Sequence, residues 1–391
     1  MSFRGLFNQL CRYQQLAQQQ LQFDGIDHRV QYHPDLSPLG WHLGHCVYTE
    51  TYWIREKLLG VETIPTDISS LYNPFISEKT LRGDALPELP ELLSWANEMQ
   101  TINVGQLNAA RNQYTTHELM QNNFLLHFLV QHYAQHLETM RMIITQFSLT
   151  KVNVPVSEPV ELIKQPLRTI TLTSGQYTVG QCEQHLPYDN EYAAHEITLE
   201  QVNLAVEPVS NGDFYVFMES GGYLNPELWS EAGWQWVKTN NIKAPSNWYR
   251  NSNNSWYVMQ QLDNQVSTSA QPVSGVSMYE ASAYASWCGG RLLHEHEWEV
   301  AAILGLLDNT GVVWEWCMNT LYPYPDFRAW PYDGYSVPYF DNQHYVLKGG
   351  SQFTEPVIKR PSFRNYYLPD KRFLLAGIRI ALDQTDCASL A

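Results

Sequence analysis

The feature that most constrains the fold is a long run, from Phe124 to Phe147, in which apolar residues recur at helical spacing without a proline or glycine. Since nothing in this run ends a helix, the pattern predicts one long amphipathic helix. His132 and His136 occupy positions i and i+4 and therefore project from the same face, about one turn apart. Two imidazoles so placed can share a metal ion, although two histidines on a helix are more often simply half-buried. A metal site requires a third ligand from elsewhere in the chain.

Three more helices are predicted before residue 150. Apolar residues recur at helical spacing from Phe3 to Leu21, and similar patterns run from about 37 to 59 and from about 90 to 113. Four amphipathic helices with longish connections predict a four-helix bundle. Such bundles bind metals in their cores through side chains on facing helices.

The composition changes after residue 150. Residues 151–164 are rich in proline and polar side chains, which predicts a linker. Short β-type runs follow at 168–173, 177–179 and 196–202, separated by Gly, Asn and Pro. We therefore predict an α+β protein with a helical domain over 1–150, the linker, and an irregular, loop-rich domain over 165–391.

Charge and cysteine content narrow the class of protein. The chain has 40 acidic and 24 basic side chains, a net charge of −16, and no run of Lys or Arg, which disfavours a nucleic-acid partner. Its six cysteines are scattered without a CxxC pair, a pattern typical of free thiols in a reducing cytosol. The N-terminal residues predict neither a signal peptide nor a membrane span, so we expect a cytoplasmic protein. The pattern does not specify an oligomeric state.

The second predicted helix supplies two candidates for the third ligand. It opens with SPLGWHLGHC, in which His42 and His45 are three residues apart and Gly44 permits close approach of a neighbouring element. Three neutral imidazoles without a carboxylate or thiolate suit Fe(II), Zn(II) or Cu, and the spacing does not select among them. A chain of 391 residues needs no metal to stabilise its core, so a metal here would serve chemistry.

Five motifs carry a resemblance to a known family. SPLGWHLGH and HYAQHLETM resemble the DinB-like iron-binding domain of the ergothioneine-type sulfoxide synthases, which join a thiol to the imidazole of hercynine. The motifs at 272–302, 311–319 and 346–365 resemble the formylglycine-generating-enzyme-type domain of those synthases, with its C-type-lectin-like fold. The resemblance covers nearly the whole chain. It implies Fe(II) as cofactor and, as small-molecule substrates, O2, hercynine or histidine, and a thiol or selenol donor.

The resemblance also assigns roles to residues. It implies that His45, His132 and His136 are the iron ligands, whereas His42 is a neighbour that packs near Trp41. The residues matched to hercynine binding and to the pair of active-site tyrosines are Gln135, Asn365, Tyr366, Tyr332 and Tyr335. Of these, Tyr366 would contact the trimethylammonium group. Tyr332 would donate a proton, or a proton with an electron, to the oxygen species, because a phenol keeps its proton at neutral pH.

The donor site departs from the family pattern. Lys79 and Arg82 could fill the basic places that hold the donor's carboxylates, but Tyr367 occupies the acidic place and Lys371 replaces a later arginine. Since a tyrosine does not compensate an ammonium group as an aspartate does, γ-glutamylcysteine is disfavoured as donor. Free cysteine and a neutral selenosugar, as in selenoneine synthases, both remain open.

Two further departures lie in the second domain. The segment between Ala302 and Gly311 is shorter than the corresponding insert of the family. Cys288 and Cys317 do not match the active-site thiol pair of formylglycine-generating enzymes and are interpreted as buried or partly buried free cysteines.

Two kinds of alternative remain open. One is an enzyme with the same iron site, either a selenoneine synthase or a histidine-accepting synthase of the ovothiol type. The other is a non-catalytic binding protein on the same scaffold, since function depends on sites and not on folds.

Overall fold

The structure is a computed structural model that describes residues 2–61, 64–150, 158–163, 166–182, 186–259 and 268–382. It divides into two compact units. The helical unit comprises Met1–Val152 together with Phe353–Ile358, and the sheet unit comprises Asn153–Gln352 together with Lys359–Ala391.

Among its described residues, the helical unit contains the predicted four long α-helices and one shorter α-helix. They are α1 (Phe3–Gln20), α2 (Leu39–Thr51), α3 (Thr66–Tyr72), α4 (Leu89–Gln113) and α5 (Phe124–Leu149). Helix α2 continues as a π-helical segment, Tyr52–Leu58. Helix α1 packs along α5, and α2 packs against both α4 and α5. The predicted helical bundle is therefore confirmed, while α3 was not predicted.

A buried polar network crosses the four long helices. The carboxylate of Glu50 on α2 accepts hydrogen bonds from Gln14 Nε2 at 2.9 Å and from Tyr133 Oη at 2.9 Å. Gln100 on α4 donates to Tyr133 Oη at 2.9 Å and accepts from Gln18 on α1 at 2.7 Å. Because each polar group in a dry core needs a partner, this network ties the four helices to one relative arrangement.

A short segment from late in the chain completes the helical unit. Phe353–Ile358 lies against α5, where Thr354 donates to the buried carboxylate of Glu138 at 2.8 Å. Arg141 pairs with Glu355 at 2.6 Å. No pattern in the sequence indicates that this segment belongs to the helical unit.

Where the structure describes it, the sheet unit has short strands and four α-helices. The strands are β1 (Thr169–Leu172), β2 (Gly175–Val179), β3 (His195–Leu199), β4 (Val202–Ala205), β5 (Trp248–Arg250), β6 (Trp256–Val258), β7 (Gly290–Leu292), β8 (Trp314–Thr320), β9 (Tyr345–Lys348), β10 (Asn365–Tyr367), β11 (Ala376–Gly377) and β12 (Ile380–Leu382). The helices are α6 (Asn211–Glu219), α7 (Glu231–Asn240), α8 (Met278–Trp287) and α9 (Glu295–Ile303). The α+β prediction is confirmed.

Two four-stranded sheets form the framework of this unit. Their strand orders are β1-β4-β12-β7 and β10-β9-β8-β11, and β2-β3 and β5-β6 form separate antiparallel pairs. Neighbouring strands are antiparallel except β11 and β8, which are parallel. The second sheet carries Asn365, Tyr366 and Tyr367 on its edge strand β10.

Buried ion pairs join the motifs of the sheet unit. Acidic residues of α9 and β8 pair with basic residues from later in the chain: Glu295 with Arg364, Glu299 with Lys348, and Glu315 with Arg379. All six side chains are almost fully buried. A charge left without its partner in such a core is strongly destabilising, so these residues act as pairs.

Three further expectations can be compared with the described residues. Of the predicted linker, only 158–163 lie within them. Cys288 is partly buried and Cys317 buried, as expected, and neither forms a disulfide within the described residues. Within the described ranges, no helix is long and apolar enough to cross a membrane.

Candidate functional site

Three histidines of the helical unit converge on one point. His45 on α2 and His132 and His136 on α5 each offer a ring nitrogen, and these nitrogens lie within 4.8 Å of one another. The ring centroids are 4.5 Å apart for His132 and His136, and 5.1 and 4.8 Å from His45 to each of them. Among the described residues, this is the group of His, Cys, Asp and Glu side chains that could hold a metal ion.

His45 is oriented by the backbone of the last residue of α3. Its Nδ1 lies 2.8 Å from the carbonyl oxygen of Tyr72, so Nδ1 carries the proton and donates it to that oxygen. The lone pair then lies on Nε2 and is available to a metal. Gly44 allows this approach, because a Cβ at that position would lie 2.0 Å from the Tyr72 ring.

His42 lies beside the three but is not one of them. Its Nδ1 is 2.9 Å from Nδ1 of His136, so one of these nitrogens donates to the other. Donation by His136 leaves the Nε2 lone pair of that residue free for a metal. The His42 ring also lies edge-on to Trp41, with ring centroids 5.3 Å apart.

Burial sets the protonation of the three histidines. It lowers the pKa of His45 to about 4, and it lowers the pKa of His132 and His136 well below the ordinary value of imidazole. The three rings are therefore neutral at neutral pH, which is the form that binds metals.

The donor set fits a metal ion. Three neutral nitrogen ligands from two facing helices suit Fe(II), Zn(II) or Cu and leave further coordination positions for other molecules. In addition, Nδ1 of His132 is buried and has no hydrogen-bond partner within the described structure. A buried nitrogen without a partner costs free energy, and an ion bound at that nitrogen would remove the cost.

The other predicted site residues of the helical unit lie on α5 or in the segment between α3 and α4. Gln135 lies on α5 between the two ligands and is half-buried. Lys79 is exposed, and its ammonium donates a hydrogen bond to the carbonyl oxygen of Asp35 at 2.9 Å. Arg82 is buried and bonds to Ser37 and Ser77, so its guanidinium is engaged within the fold.

In the sheet unit, the predicted tyrosine pair lies on a loop fixed by its neighbours. Tyr335 stacks on Tyr188 with ring centroids 4.3 Å apart, and its carbonyl oxygen accepts a hydrogen bond from Tyr366 Oη at 2.5 Å. Burial, with the nearby charge of Asp189, raises the pKa of Tyr332 to about 12. Tyr332 is therefore protonated over the whole physiological pH range.

The remaining predicted residues lie on or after β10. The side-chain oxygen of Asn365 accepts from the backbone N–H of Tyr366 at 3.0 Å. Tyr367 packs edge-on to Phe373, with ring centroids 5.5 Å apart, and the Lys371 ammonium is 3.7 Å from Asp370. The structure thus groups Tyr335 with Tyr366 in the sheet unit and the three histidines in the helical unit.

Comparison with known families matches both halves of the chain. The sulfatase-modifying factor enzyme 1-like domain matches residues 156–303 and 302–384. The DinB superfamily matches residues 20–140. The chain belongs to the sulfatase-modifying factor enzyme 1-like domain family.

Several known proteins resemble the chain over most of its length. Hercynine oxygenase of Mycobacterium tuberculosis is 28% identical over 92% of this chain and 94% of its own length. Hercynine oxygenase of Mycolicibacterium smegmatis is 27% identical over 93% of this chain and 95% of its own. Ergothioneine biosynthesis protein 1 of Schizosaccharomyces pombe is 25% identical over 76% of this chain and 44% of its own. The predicted resemblance to the ergothioneine-type synthases is thereby confirmed.

Asp189 is a candidate functional residue that no sequence motif indicated. The Asp189 carboxylate is buried and accepts a hydrogen bond from Ser336 Oγ at 2.5 Å and another from the backbone of Trp330. These two partners are the ends of the loop 330–336, which carries Tyr332 and Tyr335, so Asp189 fixes both ends of that loop. Burial raises its pKa to about 6. No local pattern around Asp189 relates it to a loop that lies far along the chain.

Proposed function

We propose that this protein is a nonheme iron(II), O2-dependent enzyme that joins a thiol donor to the imidazole of hercynine and yields the sulfoxide. The observation that carries the proposal is the converging set of three neutral histidines, His45, His132 and His136. It is supported by full-length similarity to proteins named hercynine oxygenase. The proposed reaction replaces an imidazole C–H and a thiol S–H by a C–S bond. One oxygen atom of O2 enters the sulfoxide and the other leaves as water.

Iron(II) at this site would supply O2 activation and favour the deprotonated thiol, while three protein ligands leave positions open for substrates. Holding both substrates at one centre replaces an encounter between two dissolved molecules by a reaction between neighbours. The residues of the chain then bind the substrates and provide the proton.

Tyr332 is the proposed proton donor. Because burial raises its pKa to about 12, Oη retains its proton at neutral pH and can deliver it to the reacting oxygen. Asp189 acts on Tyr332 in two ways. Its charge helps to raise the pKa of the phenol, and its bonds to Ser336 and Trp330 hold the loop that carries the phenol.

Hercynine is the proposed acceptor. Gln135 and Asn365 are assigned to its polar groups, and the Tyr366 ring is assigned to the trimethylammonium group through a cation–π contact. The bond from Tyr366 Oη to the Tyr335 carbonyl oxygen fixes that ring in place. A ring held in advance loses little conformational entropy when the cation binds.

The donor is free cysteine or a neutral selenosugar, and one observation favours the second as an alternative function. Tyr367 occupies the place of an acidic residue that would pair with the donor's ammonium, and its ring packs against Phe373. Lys79 and Lys371 remain candidates for a donor carboxylate. A selenosugar has neither charge and would yield a C–Se bond to hercynine.

The proposal is tested by mass spectrometry of products from iron(II)-loaded protein, O2 and either hercynine or histidine. Cysteine, γ-glutamylcysteine and a selenosugar are offered in parallel. We expect a coupled product with hercynine and either cysteine or the selenosugar, and none from the His136→Ala variant. Iron binding without any coupled product from these combinations would refute the enzyme assignment. Failure to bind iron would favour the non-catalytic binding protein.

A Tyr367→Asp variant tests the donor assignment separately. The new carboxylate should raise kcat/KM for γ-glutamylcysteine relative to the preferred donor, because it can pair with the donor's ammonium. Tyr367→Phe is the matched control, since it removes the hydroxyl and adds no charge. If both variants leave the donor preference unchanged, position 367 does not contact the donor.

A further inference from the structure

The ligand His45 is held by more than its hydrogen bond to Tyr72. Its ring is stacked on the Trp41 indole with centroids 4.8 Å apart and planes only 6° from parallel. Both rings lie on α2, one turn apart, and Trp41 is almost fully buried. The face of the His45 ring therefore packs on Trp41, while the Nδ1 edge of the ring bonds to the Tyr72 carbonyl.

Trp41 is in turn fixed by α3 and by the segment between α3 and α4. Its Nε1 donates to the carbonyl oxygen of Leu71 at 2.7 Å. The guanidinium carbon of Arg82 lies 3.8 Å from the centroid of the Trp41 ring, on which it stacks. A guanidinium stacked on a desolvated indole is an attractive cation–π contact, and its flat shape suits the ring face better than an ammonium does.

Arg82 is hydrogen-bonded both to a residue just before the start of α2 and to the segment that follows α3. Nη1 donates to Ser37 Oγ at 2.6 Å, just before α2, while Nε and Nη2 donate to the side chain and carbonyl of Ser77 at 3.1 and 2.9 Å. The side chain is only 6% exposed. Its three nitrogens are thus engaged by the protein, and a substrate carboxylate would have to break these bonds to reach them.

We propose that Arg82 is a positioning residue of the metal centre, which clamps Trp41 against His45 and so fixes the orientation of that ligand. The proposal rests on the metal site of the proposed function and replaces the donor-binding role that the family resemblance implies for Arg82. Groups that orient a metal ligand in this way commonly change metal affinity by about 10- to 100-fold when they are removed.

The test measures metal binding and not turnover. Metal-free full-length protein is titrated anaerobically with Co(II), whose visible spectrum reports the ligands and their geometry. We expect Arg82→Met to weaken Co(II) binding by about 10-fold or more and to change the spectrum. Arg82→Lys should restore little of the affinity, because an ammonium lacks the planar face. Arg29→Met is the matched control, since it removes an exposed arginine paired with Glu88 in the same unit and should bind Co(II) as the wild type does.

A second variant separates loss of the Arg82–Trp41 contact from loss of folding. Trp41→Leu removes the stacking ring but leaves both serine anchors of Arg82 in place, and it should weaken Co(II) binding to a similar extent. Because Arg82 and Trp41 act on His45 through one chain of contacts, the double variant should bind Co(II) only slightly more weakly than either single variant. Melting of the metal-free proteins shows whether each variant is folded.

Two results would overturn the proposal in distinguishable ways. If Arg82→Met binds Co(II) with wild-type affinity and spectrum while KM for the donor rises, Arg82 binds substrate and the clamp is wrong. If the wild-type protein itself fails to bind Co(II) and iron(II), the metal site fails and the proposed function fails with it.

Discussion

Glu50 offers a quantitative test of the polar network in the helical bundle. It lies at 0% exposure, and burial raises its pKa from the ordinary value of 4.5 to about 7. At about 1.4 kcal/mol for each pH unit, this difference corresponds to about 3 kcal/mol of folding free energy. Because the folded state binds the proton more tightly, the stabilising contribution of Glu50 is fully present below about pH 4.5 and is lost as the pH rises through about 7.

The Glu50→Gln substitution removes this proton. The free energy of unfolding of the variant, relative to the wild type, should therefore rise by about 3 kcal/mol between about pH 4.5 and pH 8. The titratable groups that face Glu50 are Tyr133, Cys46 and Cys11, and each has a pKa raised above its ordinary value by burial. They stay neutral across this range, so the pH dependence belongs to Glu50.

The assay is urea unfolding of the metal-free protein, followed by far-ultraviolet circular dichroism at a series of pH values. Glu98→Gln, which changes an exposed glutamate on α4, is the matched control and should show a constant difference from the wild type. A difference between Glu50→Gln and the wild type that is also constant with pH would refute the reasoning, because Glu50 would then titrate alike in the folded and unfolded states.

Three further substitutions have expected outcomes. Gly44→Ala places a Cβ 2.0 Å from the Tyr72 ring, so Tyr72 must move and the affinity for Co(II) should fall by at least about 10-fold. Wild-type affinity for Co(II) would show that the Tyr72 carbonyl does not orient His45. Tyr332→Phe should divert the enzyme towards oxidation of the donor alone, as measured by product mass spectrometry. Coupling at an unchanged rate would exclude Tyr332 as proton donor. Arg379→Met leaves the Glu315 carboxylate buried without its partner and should cost about 3–5 kcal/mol in urea unfolding, whereas a loss below about 1 kcal/mol would mean that water reaches the carboxylate.

The helical half of the fold was predictable because its pattern is local. Helix α5 was expected over Phe124–Phe147 and runs from Phe124 to Leu149, and α4 was expected from about 90 to 113 and begins at Leu89. The short helix α3 escaped prediction, since seven residues with one buried side chain give no clear periodicity. It nevertheless supplies the Tyr72 carbonyl that orients His45.

The sheet half was predictable in class but not in pairing. The strand runs near 168–173 and 196–202 correspond to β1 and to β3 with β4. That β4 pairs with β12 from the far end of the chain depends on contacts which no local pattern encodes. The same holds for Phe353–Ile358, which lies in the helical unit although it comes late in the sequence.

By itself, the sequence determined which face of α5 presents His132 and His136, because helical periodicity places i and i+4 together. The spacing left His42 and His45 as alternatives, and the family resemblance implied His45. The tertiary structure brings His45 together with the other two histidines, because the choice depends on how α2 is rotated against α5. It also decided that Arg82 lies over Trp41 and bonds to two serines, since a side chain's partners follow from the packing of distant segments. Periodicity is a local property of the chain, whereas the orientation of a ligand is set by everything that packs around it.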